Sequence, residues 1–506
     1  MTRPLFGPWD KHSLRKKINV IKSSYLAQTT SKSRYNLLNL PALGRFLRWR
    51  HSRAVMQAVM LLLSGLILFD GFLGPQVAYN NLATVSAWVH YRGFLMLALL
   101  VFGNFFCMAC PFMLPRKLAK KVQTRLKLGR GWPAWLPQKA VAIVLLLIFF
   151  WSYEAFNLWA SPWLTAWVVI GYFGAAFLTD LFFKGATFCK HVCPVGQFNM
   201  VYSTISPTEI AVVEATVCAT CKTKDCIAGR EAIPGCETHL FQPKKIGNLD
   251  CTFCLDCVHA CPYDNIGILT QVPGVELISN QRRSGVGQLS ERFDIAFLIM
   301  VLSFGAFMQA FGMIPPVYEL EAWLANLLGL TTEAPVLAII FFMGVVALPL
   351  TLVSAAAWLS RQGGQSHLDL KHTISRFAPS IIPLGAGMWA AHYSFHFFTG
   401  ALTLIPVLQS FVSDSAGAPL LGKPRWDLAS ILSYNQIIVL ESIFLYAGLI
   451  GSLLIAWFIA LQVYRTRQRA LRGWLPWALL FLLMLGSGLW IMLNPMEMRG
   501  TIFFNQ

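Results

Sequence analysis

Long apolar runs dominate the chain, and each is near the roughly 20 residues that a helix needs to cross a bilayer. They predict nine spans, at roughly 54–73, 91–113, 140–160, 163–183, 294–315, 335–358, 380–409, 435–461 and 474–493. The seventh is long enough to tilt, or to break near Gly400. Between the fourth and fifth lies a polar stretch, 204–290, without such a run. The pattern divides the chain into a basic arm at 1–53, a four-span module at 54–203, a soluble insert at 204–290 and a C-terminal module of about five spans at 291–506. The expected fold class is a polytopic α-helical membrane protein carrying an inserted α+β domain.

Composition agrees with that pattern. Of 506 residues, 56% are hydrophobic and 13% charged, where a soluble protein has about 25% charged. The arm holds twelve Lys/Arg against Asp10 alone, and residues 116–139 hold eight with no acid. Basic residues recur at Arg361, Lys371 and Arg376, and at Arg465, Arg467, Arg469 and Arg472. The segment 74–90 is uncharged, and 316–333 has Glu319, Glu321 and Glu333 but no base. The positive-inside bias then puts the N-terminus and the insert in the cytoplasm and the C-terminus in the periplasm of a bacterial cytoplasmic (inner) membrane. The net charge of +18 is explained by topology and anionic lipid, so no nucleic-acid partner is expected. The first 53 residues lack the early apolar core of a cleavable signal peptide.

All twelve cysteines lie between 107 and 261. Residues 251–262 read C-x2-C-x2-C-x3-C-P, through Cys251, Cys254, Cys257, Cys261 and Pro262. This is the ligand spacing of bacterial ferredoxins, in which three close thiolates cap one cubane and the fourth reaches its neighbour. A looser run, Cys218, Cys221, Cys226 and Cys236, follows the same logic. The spacing predicts one [4Fe-4S] cluster on Cys218, Cys221, Cys226 and Cys261. A second falls on Cys236, Cys251, Cys254 and Cys257. The insert is then a bacterial-type 2[4Fe-4S] ferredoxin domain, a small module held together largely by its clusters. The tight second run argues against two zinc sites, and the reducing side of the membrane argues against disulfides. His259 falls inside that run and is expected to pack or to face solvent. Cys107 and Cys110 precede Pro111, and Cys189 and Cys193 precede Pro194. Both pairs end spans on the same side, so four thiols share one depth. They predict a third [4Fe-4S] cluster at the membrane edge.

Ionisable groups inside spans are costly and mark function. Glu154, Asp180, His392, His396 and Glu441 are such groups. His392 and His396 lie one turn apart on one helix face. With Glu441 they form a candidate quinone site, in which imidazole or carboxylate trades protons with the ring oxygens; hydrogen bonding between helices is the plainer alternative. Haem b is a lesser alternative. Its axial ligands come from opposite faces of the ring, which His392 and His396 on one helix face do not supply, leaving His90 as a candidate partner. No inverted repeat of a transporter is evident.

The motifs FCMACPFML and FCKHVCPVG, the segment ISPTEI at 205–210 and the two cysteine runs resemble the NapH/NosR/CcoG-type membrane polyferredoxins over roughly 55–290. Cys189 and Cys193 fit that family's C-x3-C-P motif, whereas Cys107 and Cys110 are one residue closer. The resemblance implies quinol-linked electron donors to periplasmic reductases or their maturation, or metal reductases of oxidase assembly. The expected function is electron transfer between the quinone pool or a partner redox subunit and the clusters, within a quinol/quinone-linked oxidoreductase. Expected partners are quinone or quinol, a redox protein or the other subunits of a membrane complex, and lipid. No residue is assigned a bond-making role. The alternatives are a copper reductase or assembly factor for a respiratory metalloenzyme, for which no His-rich or Met-rich loop is present, and a redox-sensing membrane scaffold. The unmatched last spans are left for docking or for a quinone module.

Overall fold

A computed structural model describes residues 34–231 and 233–496. Residues 1–33 of the expected arm, and the C-terminus expected in the periplasm, lie outside the described residues. What is described of the arm forms helix α1, Pro41–Arg48. Among the described residues, seven helices are long and apolar enough to cross a membrane. They are α2 (Ser52–Leu73), α3 (Leu82–Phe102), α7 (Pro162–Phe182), α9 (Phe293–Phe311), α11 (Glu333–Gly364), α14 (Tyr434–Val463) and α15 (Arg467–Leu493). The other two expected spans take different forms. Ala140–Ala155 (α6) is a shorter apolar helix of 16 residues. The seventh span is a pair, α12 (Leu370–Thr399) and α13 (Leu404–Ala416), bent by 55°. The break falls at Gly400, where the i→i−4 ladder closes on His396 O and does not continue into α13.

Local sequence explains the starts. The Ser161 hydroxyl accepts from Leu164 N at the head of α7, with Pro162 at the first position. Ser433 and Gln436 cap α14 reciprocally. The end of the second span differs from expectation. Its helix stops at Phe102, because Gly103 takes a φ of +82°. A Cβ there would meet the Phe253 ring at 2.9 Å and the Thr208 hydroxyl at 3.0 Å. The chain reverses and folds back as α4, Phe105–Ala109, whose Phe106 ring lies 4.8 Å from that of Tyr91 on α3. Cys107 therefore sits on a re-entrant turn, not on the span itself. It is followed by α5, Leu114–Arg125. The expected outer loop 316–333 holds a further helix, α10, Pro315–Leu328.

Lipid as solvent shows in the distribution of side chains. Leu62, Phe94, Leu479 and Leu493 are more than half exposed on the outside, while Gln309, Glu441 and Ser452 are buried. Apolar burial from lipid gains little, so helix association rests on close packing through small residues. α12 and α14 meet backbone to backbone: a Cβ on Gly387 would lie 2.5 Å from Phe444 O, and one on Gly448 2.7 Å from Pro383 O. A larger side chain at Gly448 would force these helices apart.

The insert begins after α8, Pro194–Tyr202. Its β1, Thr208–Val212, pairs antiparallel with β2, Ile266–Thr270, with Ile210 opposite Ile268. The described part of the arm packs on the insert. Arg34 bonds Glu209 Oε1 and Thr270 O, both at 2.6 Å, and Asn36 bridges Leu269 beside the sheet. His259, expected to pack or face solvent, meets Leu47 O at 2.9 Å and ties α1 to the insert. Buried charge pairs join the insert to the helices. Lys139 at the foot of α6 reaches Asp250 at 2.6 Å. Within the insert, Arg283 is 3% exposed and pairs with Glu276 at 3.2 Å.

Candidate metal centres

The twelve cysteines are all free thiols, with no disulfide among them. The fold gathers them into the three expected quartets. Cys218, Cys221, Cys226 and Cys261 line one cavity with Phe241, Tyr263 and Ile266. Each is half-buried. Cys218 rides the short helix Ala215–Thr220, and Cys226 follows a left-handed turn at Lys224. Asn265 points two N–H groups at this set, Nδ2 to Cys218 Sγ and the backbone N to Cys261 Sγ, both at 3.4 Å. Burial pushes the Cys218 and Cys226 thiols up from their usual range.

The second quartet, Cys236, Cys251, Cys254 and Cys257, is buried. Asp250, Phe253 and Leu255 all have positive φ within six residues, an unusual run without glycine. Such backbone persists only where the surroundings hold it, and it winds the chain around one point. Leu240 N donates to Cys236 Sγ at 3.3 Å. Burial raises the Cys251, Cys254 and Cys257 thiols, and neighbouring thiols raise them further.

The third quartet joins α4 to the turn before α8. Cys110 and Cys193 are each held extended before a proline that opens the next helix. Gly196 N donates to Cys193 Sγ at 3.2 Å, and Asn199 Nδ2 to Cys107 Sγ at 3.3 Å. Burial pushes the Cys107 thiol up to about 11 and the Cys189 thiol up to about 12. Thiols held protonated in this way must lose protons to become metal ligands, so loading any of these sites releases protons.

The quartets adjoin in a row. Cys236 N bonds Cys226 O at 2.9 Å, linking the exposed set to the buried one. Asn104 Nδ2 bonds Cys251 O at 2.9 Å, and the Cys251 and Cys107 thiols interact electrostatically, linking the buried set to the third. A charge network fills the seam. Arg53 lies 2.9 Å from Glu237 and 3.2 Å from Asp256. Arg116 pairs with Asp180, and with Glu237 at 3.1 Å. Burial would raise the Glu237 carboxyl, but Arg53 and Arg116 outweigh it and hold the group well below the usual range. Burial pushes Asp256 up to about 6 against the pull of Arg53. The Glu237, Cys254 and Asp256 ligand atoms lie within 4.8 Å of one another. The Arg53 guanidinium is already the cation of that group, so it is a salt-bridge cluster rather than a metal site.

Asp180, flagged for its place in a span, is thus the partner of Arg116 and also accepts from Phe188 N at 3.1 Å. Glu154 is buried beside Gly312. His392 and His396 meet through their Nε2 atoms at 3.1 Å. Glu441 is buried but makes no hydrogen bond to either, among the described residues. His90 lies with Nδ1 3.0 Å from Val85 O and Nε2 3.2 Å from Ala401 O, a neutral ring donating to one of the two. Sequence reasoning passed over Arg92. It is the one Lys or Arg between 54 and 115, and that isolation inside an apolar run was the available signal. Asn104, Asn199 and Asn265 were also missed, because asparagines beside cysteine motifs look like ordinary loop residues.

No protein-family model matches the chain, and neither a curated protein nor a solved structure matches it.

Proposed function

We propose that the protein is an iron–sulfur electron-transfer subunit of the NapH/NosR/CcoG type, working in a bacterial cytoplasmic membrane. The observation that carries this reading is the row of three adjoining quartets, each with N–H donors aimed at its sulfurs. The exposed quartet would hold one cluster, the buried quartet a second and the Cys107, Cys110, Cys189 and Cys193 quartet a third. A [4Fe-4S] cluster bound at each supplies one-electron transfer. The chain supplies the rest. Asn265, Leu240, Asn199 and Gly196 direct N–H groups at ligand sulfurs, which favours the reduced state. Burial excludes water from the middle quartet, whereas the inner quartet is half-buried except at Cys193. The half-buried outer quartet gives a soluble partner access, while the re-entrant turn at Gly103 brings the inner quartet to the helices. Electrons then pass between a redox partner or complex subunit and the quinone pool. In this reading nine crossings, counting α6 and the bent pair α12/α13, put the insert in the cytoplasm, as the basic loops require.

The test is metal content. Full-length protein purified without oxygen should hold about twelve iron and as much acid-labile sulfide, three times the four of a single cubane. Dithionite should develop reduced-cluster EPR signals. Protein without iron or sulfide in the insert would end this reading; about eight iron would remove the inner cluster.

A further inference from the structure

Around Arg92, in the middle of α3, the structure assembles polar groups from three helices. Arg92 Nη2 donates to the Tyr153 hydroxyl on α6 at 2.7 Å, and Nε to Trp88 O at 2.9 Å. Its guanidinium sits over the rings of Trp88, Tyr153 and Tyr393, at 5.2, 4.9 and 5.1 Å from their centroids. Tyr393 belongs to α12, as do His392 and His396, and both imidazoles lie within electrostatic reach of Arg92. No ion pair joins Arg92 to a carboxylate among the described residues. A cation inside a span without a counter-charge is costly and attracts an electron-rich oxygen. His392 is 1% exposed, and its Nδ1 has no hydrogen-bond partner. Arg92 and His396 are half-buried, as are Trp88, Tyr91 and Phe397.

The site is wired to the inner quartet. Tyr91 adjoins Arg92, and its hydroxyl lies within electrostatic reach of Cys107, Cys110 and Cys193. Its ring packs on Phe106, one residue before Cys107.

We infer that Arg92, Tyr153, Tyr393, His392 and His396 form the headgroup site of a quinol, entered from the bilayer, that feeds the inner quartet. This rests on the electron-transfer reading above and replaces Glu441 with Arg92 as the partner of the histidine pair. Arg92 and Tyr153 hold one ring oxygen. Both O–H bonds break as the quinol becomes quinone, one for each electron that leaves, and the imidazole pair takes each proton in turn. Each quinol oxidised to quinone releases two electrons and two protons. A cluster held by Cys107, Cys110, Cys189 and Cys193 would accept the electrons singly, with Tyr91 between it and the site, and the protons leave through His392 and His396.

The experiment uses full-length, iron-loaded protein with a short-tail ubiquinol and a short-tail naphthoquinol, following cluster reduction by EPR and stopped-flow absorbance. Wild type should be reduced by at least one of them. Arg92→Gln and His396→Gln should slow that reduction about tenfold or more, the loss expected for one charged hydrogen bond, while iron content and the dithionite-reduced EPR signal stay at wild-type level. A wild type that dithionite reduces but neither quinol does would overturn the site and leave the relay standing. So would Arg92→Gln reduced at the wild-type rate, or a loss confined to Glu441→Gln. Where a variant fails to assemble, an azidoquinone photolabel on wild type decides: labelling within 82–102 or 382–399 supports the site, and labelling only elsewhere refutes it. Absence of iron from wild type would instead sink the electron-transfer reading itself.

Discussion

The two cysteine quartets of the insert have the same number of thiols and opposite surroundings. Cys218, Cys221, Cys226 and Cys261 are half-buried around an open cavity, with Lys222 and Lys224 exposed beside them. Cys236, Cys251, Cys254 and Cys257 are buried, and a network of Arg53, Arg116, Glu237 and Asp256 is locked against one side. The difference teaches that one motif can serve two structural purposes. The exposed set sits on the fold, and the buried set is its centre. Removing a ligand from each gives the largest expected contrast. Cys257→Ser should cost the insert most of its fold, a loss approaching the roughly 10 kcal/mol that a structural metal supplies. Cys221→Ser should lose only about four iron and leave the insert resistant to proteolysis. Limited proteolysis with iron analysis checks both; equal damage from the two would erase the contrast.

Next in size is Arg53→Gln. It strands Asp256 beside Cys254 and leaves Glu237 with Arg116 alone, and breaking a buried ion pair in this way costs roughly 3–5 kcal/mol. It also removes a cation near one quartet of the insert and not the other. The reduction potential of the buried set should fall in an EPR-monitored titration while that of the exposed set stays fixed. Equal shifts in both would show that the charge network serves the whole insert.

A third effect comes from beneath the buried quartet. Glu276 accepts from Asn248 N and pairs with Arg283, and Asn248 O in turn accepts from Cys251 N at 2.9 Å. Burial pushes the Glu276 carboxyl up to about 7, against the pull of Arg283. Because the folded value lies above the unfolded one of 4.5, its contribution is full below pH 4.5 and is lost as pH rises through 7. The insert should be about 3 kcal/mol less stable at pH 8 than at pH 4.5 from this group alone. Glu276→Gln should flatten that slope in thermal melts; an unchanged slope would place its origin elsewhere.

The two quartets also differ in how they were legible. Cysteine spacing is local, so C-x2-C-x2-C-x3-C-P announced its grouping before any folding was considered. The assignment of Cys261 to the outer set and Cys236 to the inner one was legible from the same motif. The surroundings were not. Arg53 is some 180 residues from Glu237 in sequence, and nothing local predicts that pairing. Helix positions followed from apolar runs, including the break near Gly400. The end of α3 did not, because hydropathy continues through FFCMACPFML while Gly103 reverses the backbone. The pairing of His392 with His396 could be read from a four-residue step, whereas Arg92 joins them only through the packing of α3 against α12.

The smallest expected effect lies at the rim of the exposed quartet. Arg48 on α1 meets Asp264 at 2.5 Å, three residues past Cys261, with side chains 32% and 71% exposed. Water and salt screen such a pair, and holding two mobile side chains together costs entropy, so it contributes at most about 0.5 kcal/mol. Asp264→Asn should therefore leave the melting of the insert almost unchanged at low salt and fully unchanged at high salt, with the iron content of both quartets intact. That is the counterpart of Arg53→Gln: two arginines near the start of the chain, each on a carboxylate near a cysteine set, differing in exposure. A destabilisation above about 1 kcal/mol in Asp264→Asn would exceed the range of exposed pairs. It would mean that the clasp of α1 and the arm holds the exposed quartet in shape, so that exposure alone no longer separates the two sets.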